Sequence, residues 1–269
     1  MFKRRKFFAA VVLCGLVLGI SIAENKNSER VFGEMEKGYL AIIIDDFGYG
    51  ADGTEEMLGL DVDFTAAIMP FSSKAEEDLK RVKTAGKDYM VHMPMESLTG
   101  KKAWVGDKGV FCDMTDDEIH LLVDEAMKTL EGAAGLNNHM GSAIMENERC
   151  LSAVVKAVKE KDIVFVDSKT TAKSLGKKVC DENDVIVFER DIFLDSTDDI
   201  NEIKNRLRQV GEIALKEGYA VAIGHVGPEG GSITAKAIDE MKDGLENSGI
   251  EFVTISELRE IYEGRRNNK

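Results

Sequence analysis

The chain is poor in the residues that break or staple a fold. Its 269 residues hold three prolines, four cysteines, four histidines and one tryptophan. So few prolines, beside 25 glycines, exclude a collagen-like or proline-rich disordered chain. No C-x-x-C occurs. Cys14 lies in an N-terminal apolar stretch, which leaves Cys112, Cys150 and Cys180. That odd set is neither a disulfide framework nor a cysteine-based zinc module. Past residue 23 no run of 18 apolar residues appears, so no internal membrane helix is expected. No G-x-G-x-x-G or G-x-x-x-x-G-K follows a strand-like run, so a nucleotide fold has no support.

Positive charge is also scarce. The net charge is −14, and four cations, Lys3, Arg4, Arg5 and Lys6, sit in the first 23 residues without an acid. Removing those four takes the net charge from −14 to −18. A body this acidic repels phosphate backbones, so nucleic acid is not an expected partner. The same 23 residues read as an export signal: a basic start, an apolar stretch from Phe7 to Ile20, and the small-x-small site Ser21-Ile22-Ala23. An uncleaved anchor is the alternative, and either places the body outside the cytoplasm. Val11-Val12-Leu13-Cys14 lacks the small residue that a lipidated cysteine needs before it.

Residues 24–37 are polar and are expected to be a linker. From residue 38 short apolar runs recur at 39–44, 63–69, 88–93, 133–137, 162–167, 185–188, 219–224 and 250–255. Helices are expected between most of them, at 73–85, 115–131, 147–160, 199–217, 232–247 and 256–263. Ser73 with Glu76, and Thr115 with Glu118, have capping-box spacing. Continuous apolar strands alternating with helices imply a parallel sheet buried on both faces. A (β/α) barrel fits better than an open sheet. One domain is expected over 38–263, with 264–269 as a solvated basic tail.

In such barrels reacting groups sit at the C-terminal ends of strands. The polar interruptions fall there: Asp45-Asp46 after Ile42-Ile43-Ile44, His92 in VHMPME, Asn137-Asn138-His139 in GLNNHMGS, Asp167-Ser168 after FV, and His225 in AIGHVG. Two adjacent acids after an all-apolar run point to chemistry. Pleating is expected to send them to opposite sides, so that one binds a cation while the other faces a substrate. Bland readings stand beside these. A carboxylate after a strand also caps the next helix, Asn137 and Asn138 also suit a turn, and Asp167 also suits the cap of a helix starting near Thr170-Thr171. Arg190 and its neighbouring acids form either an ion pair or a support for a catalytic carboxylate. Trp104 is either a sugar-stacking face or an ordinary partly buried indole. His120, off the apolar stripe of its helix, is read as solvated and without a role.

The segments AIIIDDFG (41–48), FTAAIMPFS (64–72), VHMPME (91–96), GLNNHMGS (135–142), FVDSKTT (165–171), RDIFLD (190–195) and AIGHVG (222–227) together resemble the divergent polysaccharide deacetylase family. That is a remote branch of the enzymes acting on N-acetylated glycans. The resemblance implies a distorted (β/α)7-type barrel of the glycoside hydrolase and deacetylase kind, a divalent metal, usually zinc, and a polysaccharide substrate. It implies Asp45 as catalytic base, Asp46 as metal ligand and His225 as proton donor. His92 stands where better-known deacetylases begin H-[ST]-x-x-H, but Glu96 replaces the second histidine. His139 is then the expected third ligand. Asn138, Asp167, Arg190, Asp195 and Glu96 are expected to support the site or contact substrate. A catalytically degenerate envelope protein that binds glycan or a protein partner in the same cleft is the rival reading. A metal-dependent hydrolase of other bonds is the third. Oligomeric state is not legible.

Overall fold

The computed structural model describes residues 37–228 and 230–267. The expected leader and all of the expected linker but Lys37 lie outside the described residues. Among the described residues nine strands, all paired in parallel, make one sheet. They are β1 (Gly38–Phe47), β2 (Thr65–Ile68), β3 (Asp88–Met95), β4 (Gly135–Met140), β5 (Val164–Asp167), β6 (Val187–Glu189), β7 (Ile192–Phe193), β8 (Tyr219–His225) and β9 (Ile250–Val253). The order is β6-β5-β4-β3-β2-β1-β8-β7, with β9 also on β1. The helices are α1 (Thr54–Leu58), α2 (Ala75–Thr84), α3 (Lys102–Val105), α4 (Asp116–Thr129), α5 (Ser142–Met145), α6 (Glu148–Glu160), α7 (Gly176–Glu182), α8 (Ile200–Glu217), α9 (Gly231–Asn247) and α10 (Ile255–Asn267).

The curl closes through one extended segment. Residues 187–189 ladder onto β5, and Ile192 and Phe193 ladder onto β8. Between them the Arg190 amide donates to the Asp167 carbonyl at 3.0 Å and the Asp191 amide to the Val221 carbonyl at 2.8 Å. One stretch of chain therefore serves both edges of the sheet. The result is the expected distorted (β/α) barrel.

Alternation along each strand separates two apolar layers. Leu40, Ile42 and Ile44 of β1 join Val91, Met93 and Leu136 in packing on the helices, against Ile119, Val123 and Leu151 among others. Ala41 and Ile43 join Ala67, Met90, Val166, Val221 and Ile223 on the inner face, which Ile255 and Leu258 of α10 also contact. Both faces of the sheet are dry, as the unbroken apolar runs require.

Several local expectations need correction. The capping box at Thr115 and Glu118 forms, but that at Ser73 does not. There α2 starts two residues later, at Ala75, and Lys74 stands at its cap, after a turn in which the Ala75 amide donates to the Ser72 carbonyl. No helix begins near Thr170; α7 starts at Gly176. The basic tail is helical as far as Asn267, and Arg265 lies over the Tyr39 ring, 5.4 Å from its centroid. The short helices α1, α3, α5 and α7 carry too few apolar repeats to be read from periodicity. Among the described residues no helix is long and apolar enough to cross a membrane.

The turn that leaves β1 is tightly specified. Gly48 has φ +117°, and a Cβ there would lie 2.2 Å from Ser72 Oγ and 3.0 Å from the Met69 carbonyl. Asp78, fully buried, accepts the amides of Gly48 at 2.8 Å and Gly50 at 3.0 Å. We expect Gly48→Ala to lower unfolding free energy by about 1–3 kcal/mol. A shifted urea midpoint at unchanged slope is the readout; an unmoved midpoint contradicts this account of the turn.

Candidate functional site

Extending the inner-face alternation past the apolar layer reaches a polar layer. Asp45 continues Ala41 and Ile43, His92 continues Met90, Asn137 and His139 lie on β4, Ser168 continues Val166, and His225 continues Val221 and Ile223. Register confirms the adjacency: Asp45 pairs with His225 across β1 and β8, and His92 with Asn137 across β3 and β4.

Asp46 does not obey the alternation. A regular pleat would turn it toward the helices. Its φ is +69°, and the β1–β2 register shifts between Ile44 and Phe47, so its carboxylate swings to the same side as Asp45. This corrects the expectation of opposite sides. Asp46 Oδ1 lies 3.3 Å from His92 Nε2 and 3.2 Å from His139 Nδ1, and those nitrogens are 3.1 Å apart. Asp45 Oδ1 approaches the other nitrogen of the same ring, His92 Nδ1, at 3.6 Å.

The near-equilateral triangle of one oxygen and two nitrogens fits a divalent cation. Ligands about 2.0–2.1 Å from a tetrahedral zinc stand roughly 3.3 Å from one another, close to the three edges found. His92 is sealed at 2% side-chain exposure, whereas Asp46 and His139 keep 24% and 21%. One side of the triangle is thus open, as a catalytic rather than a structural site requires.

The charges suit this arrangement. Burial would raise the Asp46 carboxyl, but hydrogen bonds and charge from His139 and His92 hold it far below the usual carboxylate range. Burial raises Asp45, and the nearby His92 and His225 only partly offset that. Burial would lower His225, but the hydrogen bond and charge of Asp195, with Asp45 and Asp46 beyond, push it up to about 10. Asp195, itself buried, accepts from the His225 amide at 2.7 Å, from its Nδ1 at 2.9 Å and from Thr234 Oγ1 at 3.0 Å.

The other expected residues are placed as follows. Asn138 is buried in β4 rather than in a turn: its Oδ1 accepts the Ser168 amide at 3.0 Å and its Nδ2 donates to the Met140 carbonyl at 2.7 Å. The turn falls instead on Met140 and Gly141, at φ +55° and +86°. Asp167 is fully buried but faces away from the acids, accepting Lys169 N at 2.8 Å and Ser174 Oγ at 2.5 Å. Arg190 donates to the carbonyls of Ser168 and Lys169 at 2.7 and 3.0 Å and stacks on Phe193 at 3.6 Å. Neither makes a hydrogen bond to Asp45 or His225; they shape the loop after β5. Glu96 closes the loop after β3 by accepting the Cys112 amide at 2.7 Å. Trp104 is 60% exposed, so it is not the partly buried indole. His120 reaches Glu160 at 2.9 Å, away from the site.

Asn137, read as a turn candidate, is fully buried at the centre of the polar layer. Its alternation with His139 along the inner face of β4 was the available signal.

The sequence matches the family described as divergent polysaccharide deacetylase over residues 42–259. The chain belongs to that family. An uncharacterized Haemophilus influenzae protein is 32% identical over 70% of this chain and 67% of its own length. The uncharacterized Escherichia coli protein YibQ is 29% identical over 71% of this chain, and only 59% of YibQ is spanned. Among solved structures, the uncharacterized protein ATU2773 from Agrobacterium tumefaciens superposes with a TM-score of 0.74 at 17% identity, covering 85% of this chain and 92% of its own. The Bc1960 peptidoglycan N-acetylglucosamine deacetylase gives 0.51 at 16% identity, over 82% of this chain and 87% of its own. A CE4 family pseudoenzyme from Bacillus anthracis gives 0.50 at 15% identity, over 83% and 66%. At these identities the structures share this deacetylase fold, and that alone.

A histidine raised to about 10 from an ordinary 6.5 contributes stability that is complete below about pH 6.5. That contribution fades as pH climbs and is gone above about pH 10. We expect His225 ring signals to titrate well below pH 10 in Asp195→Asn, and the stability gap to wild type to narrow as pH rises through that range. An unaltered His225 titration in the variant contradicts the assignment.

Proposed function

We propose that this family member is a metal-dependent hydrolase that removes N-acetyl or O-acetyl groups from a cell-envelope polysaccharide outside the cytoplasm. The observation that carries the reading is the placement of three functions within one polar layer. A metal-sized triangle, a burial-raised carboxylate on the sealed side of His92 and a protonated histidine lie together at the strand ends.

Asp46, His92 and His139 would hold the cation, and a donor set of two imidazoles and a carboxylate favours zinc. When bound, such an ion polarises the acetyl carbonyl and acidifies a water. Asp45 accepts the proton of the attacking water, a role that its burial-raised proton affinity favours. His225, held cationic by Asp195, donates a proton to the departing amine or alcohol of the sugar. Released acetate and the deacetylated sugar balance the one water consumed. The exposed Tyr49, Leu98 and Trp104 follow the C-terminal strand ends and offer faces for a glycan. The basic, apolar N-terminal stretch supports placement outside the cytoplasm.

One departure favours the rival, a protein that binds glycan without turnover: Glu96 stands where the familiar motif has a second histidine, and it is spent on the Cys112 amide. The retained Asp45 and the Asp195–His225 pair weigh against it, since a binder needs neither proton acceptor nor proton donor.

Acetate release from N-acetylglucosamine oligomers and peptidoglycan fragments tests the proposal. We expect turnover in wild type and a loss of about 10²–10⁴-fold in Asp45→Asn, with one ion still bound per chain at saturating Zn²⁺. No release from any acetylated glycan, with Asp45→Asn matching wild type in the cell, favours the binder.

A further inference from the structure

The buried amide of Asn137 touches both halves of the proposed machinery. Its Nδ2 donates to Asp45 Oδ1 at 2.8 Å, and its Oδ1 lies 2.7 Å from His92 Nδ1. The second Nδ2 hydrogen faces Ser168 Oγ at 3.5 Å. That hydroxyl already spends its own proton on the Asn138 carbonyl at 3.0 Å, so it is free to accept. All of the amide's polar atoms are engaged, and its orientation follows. A flip would turn the amide oxygen against the Asp45 carboxylate oxygen, two acceptors facing each other.

With the amide so oriented, Oδ1 takes the His92 proton on Nδ1. The lone pair of Nε2 is then left aimed at Asp46 and His139, where a cation would sit. Ligating histidines commonly give their other N–H to a carboxylate directly. Here that carboxylate would be Asp45, whose Oδ1 is 3.6 Å from Nδ1, too far to compete with the amide at 2.7 Å. A direct pair would tie the base to the imidazole. The inserted amide fixes the tautomer while leaving Asp45 its second oxygen.

Resting on the metal-site reading above, we propose that Asn137 is a positioning residue that couples the Asp45 carboxylate to the metal-facing nitrogen of His92 and keeps the two from pairing directly. Removing it weakens metal binding and the base together.

The test is a double-mutant cycle on Zn²⁺ affinity, measured by competition with a chromophoric chelator, in wild type, Asp45→Ala, Asn137→Ala and the double variant. Loss of such a supporting hydrogen bond typically weakens metal affinity about 10–100-fold, and we expect Asn137→Ala to do so. We expect Asp45→Ala to weaken affinity in the wild-type background and at least threefold less in the Asn137→Ala background. Equal penalties in both backgrounds, or an Asn137→Ala affinity within twofold of wild type, overturn the coupling. A second measurement needs no variant. In metal-free protein at a pH where His92 is neutral, ¹⁵N spectra of the imidazole are expected to place its proton on Nδ1. A proton on Nε2 overturns the proposal. If Zn²⁺ does not bind at all, the metal-site reading falls, and the tautomer alone decides whether Asn137 orients His92.

Discussion

The site depends on one backbone conformation. At Asp46 the chain adopts φ +69° within β1, a region a non-glycine residue seldom occupies and which costs of order 1–3 kcal/mol. Without it, two consecutive strand residues present side chains to opposite faces, and Asp46 points at the helices while Asp45 points at His92. With it, Asp46 meets Nε2 of the imidazole whose Nδ1 is linked to Asp45 through the Asn137 amide. The surroundings hold the strained residue in place. The β1–β2 ladder shifts register here, Asp78 grips the amides of Gly48 and Gly50, and two histidines meet the Asp46 carboxylate.

A sheet whose two edge strands, β6 and β7, lie on one stretch of chain explains how residues 92 positions apart, Asp45 and Asn137, come within hydrogen-bond reach. Most inner positions continue a column of small or β-branched residues, and His92 continues Met90, so the polar layer is the last storey of a packed interior. Burial there acts in opposite directions on the two chemical partners, raising Asp45 and opposing charge on His225. The Asp195 carboxylate reverses that opposition for His225 alone. Asp45 and His225, the proposed proton acceptor and donor, stand opposite one another on β1 and β8 and are thereby set apart by the environment of each.

Much of the architecture was legible because its signal is local. Eight of the nine strands announce themselves as apolar runs, and the long helices as 3.6-residue periodicity. β7 was missed because two residues, Ile192 and Phe193, make no run; only the neighbouring strand ends define it. The candidate metal triad was legible through motif order, and the structure draws Asp46, His92 and His139 together. The Asp45–Asp46 geometry was not legible, because pleating is the correct rule for any residue with ordinary dihedrals. Asp167 and Arg190 make no hydrogen bond to Asp45 or His225: alternation places Asp167 on the outer side of β5, and Arg190 gives its donors to the Ser168 and Lys169 carbonyls, although the Asp45 charge still reaches it. Asn137 was overlooked because asparagine reads first as a turn residue. In the structure it is a non-ionisable donor and acceptor set between Asp45 and His92.

The central claim, that Asp46, His92 and His139 share one divalent cation, is tested most directly by anomalous diffraction at the zinc edge from crystals grown with Zn²⁺. The account predicts one peak per chain, bonded at about 2.0–2.2 Å to the Asp46 oxygen, His92 Nε2 and His139 Nδ1. A zinc peak only elsewhere on the chain, or no peak with the three side chains unliganded, contradicts it.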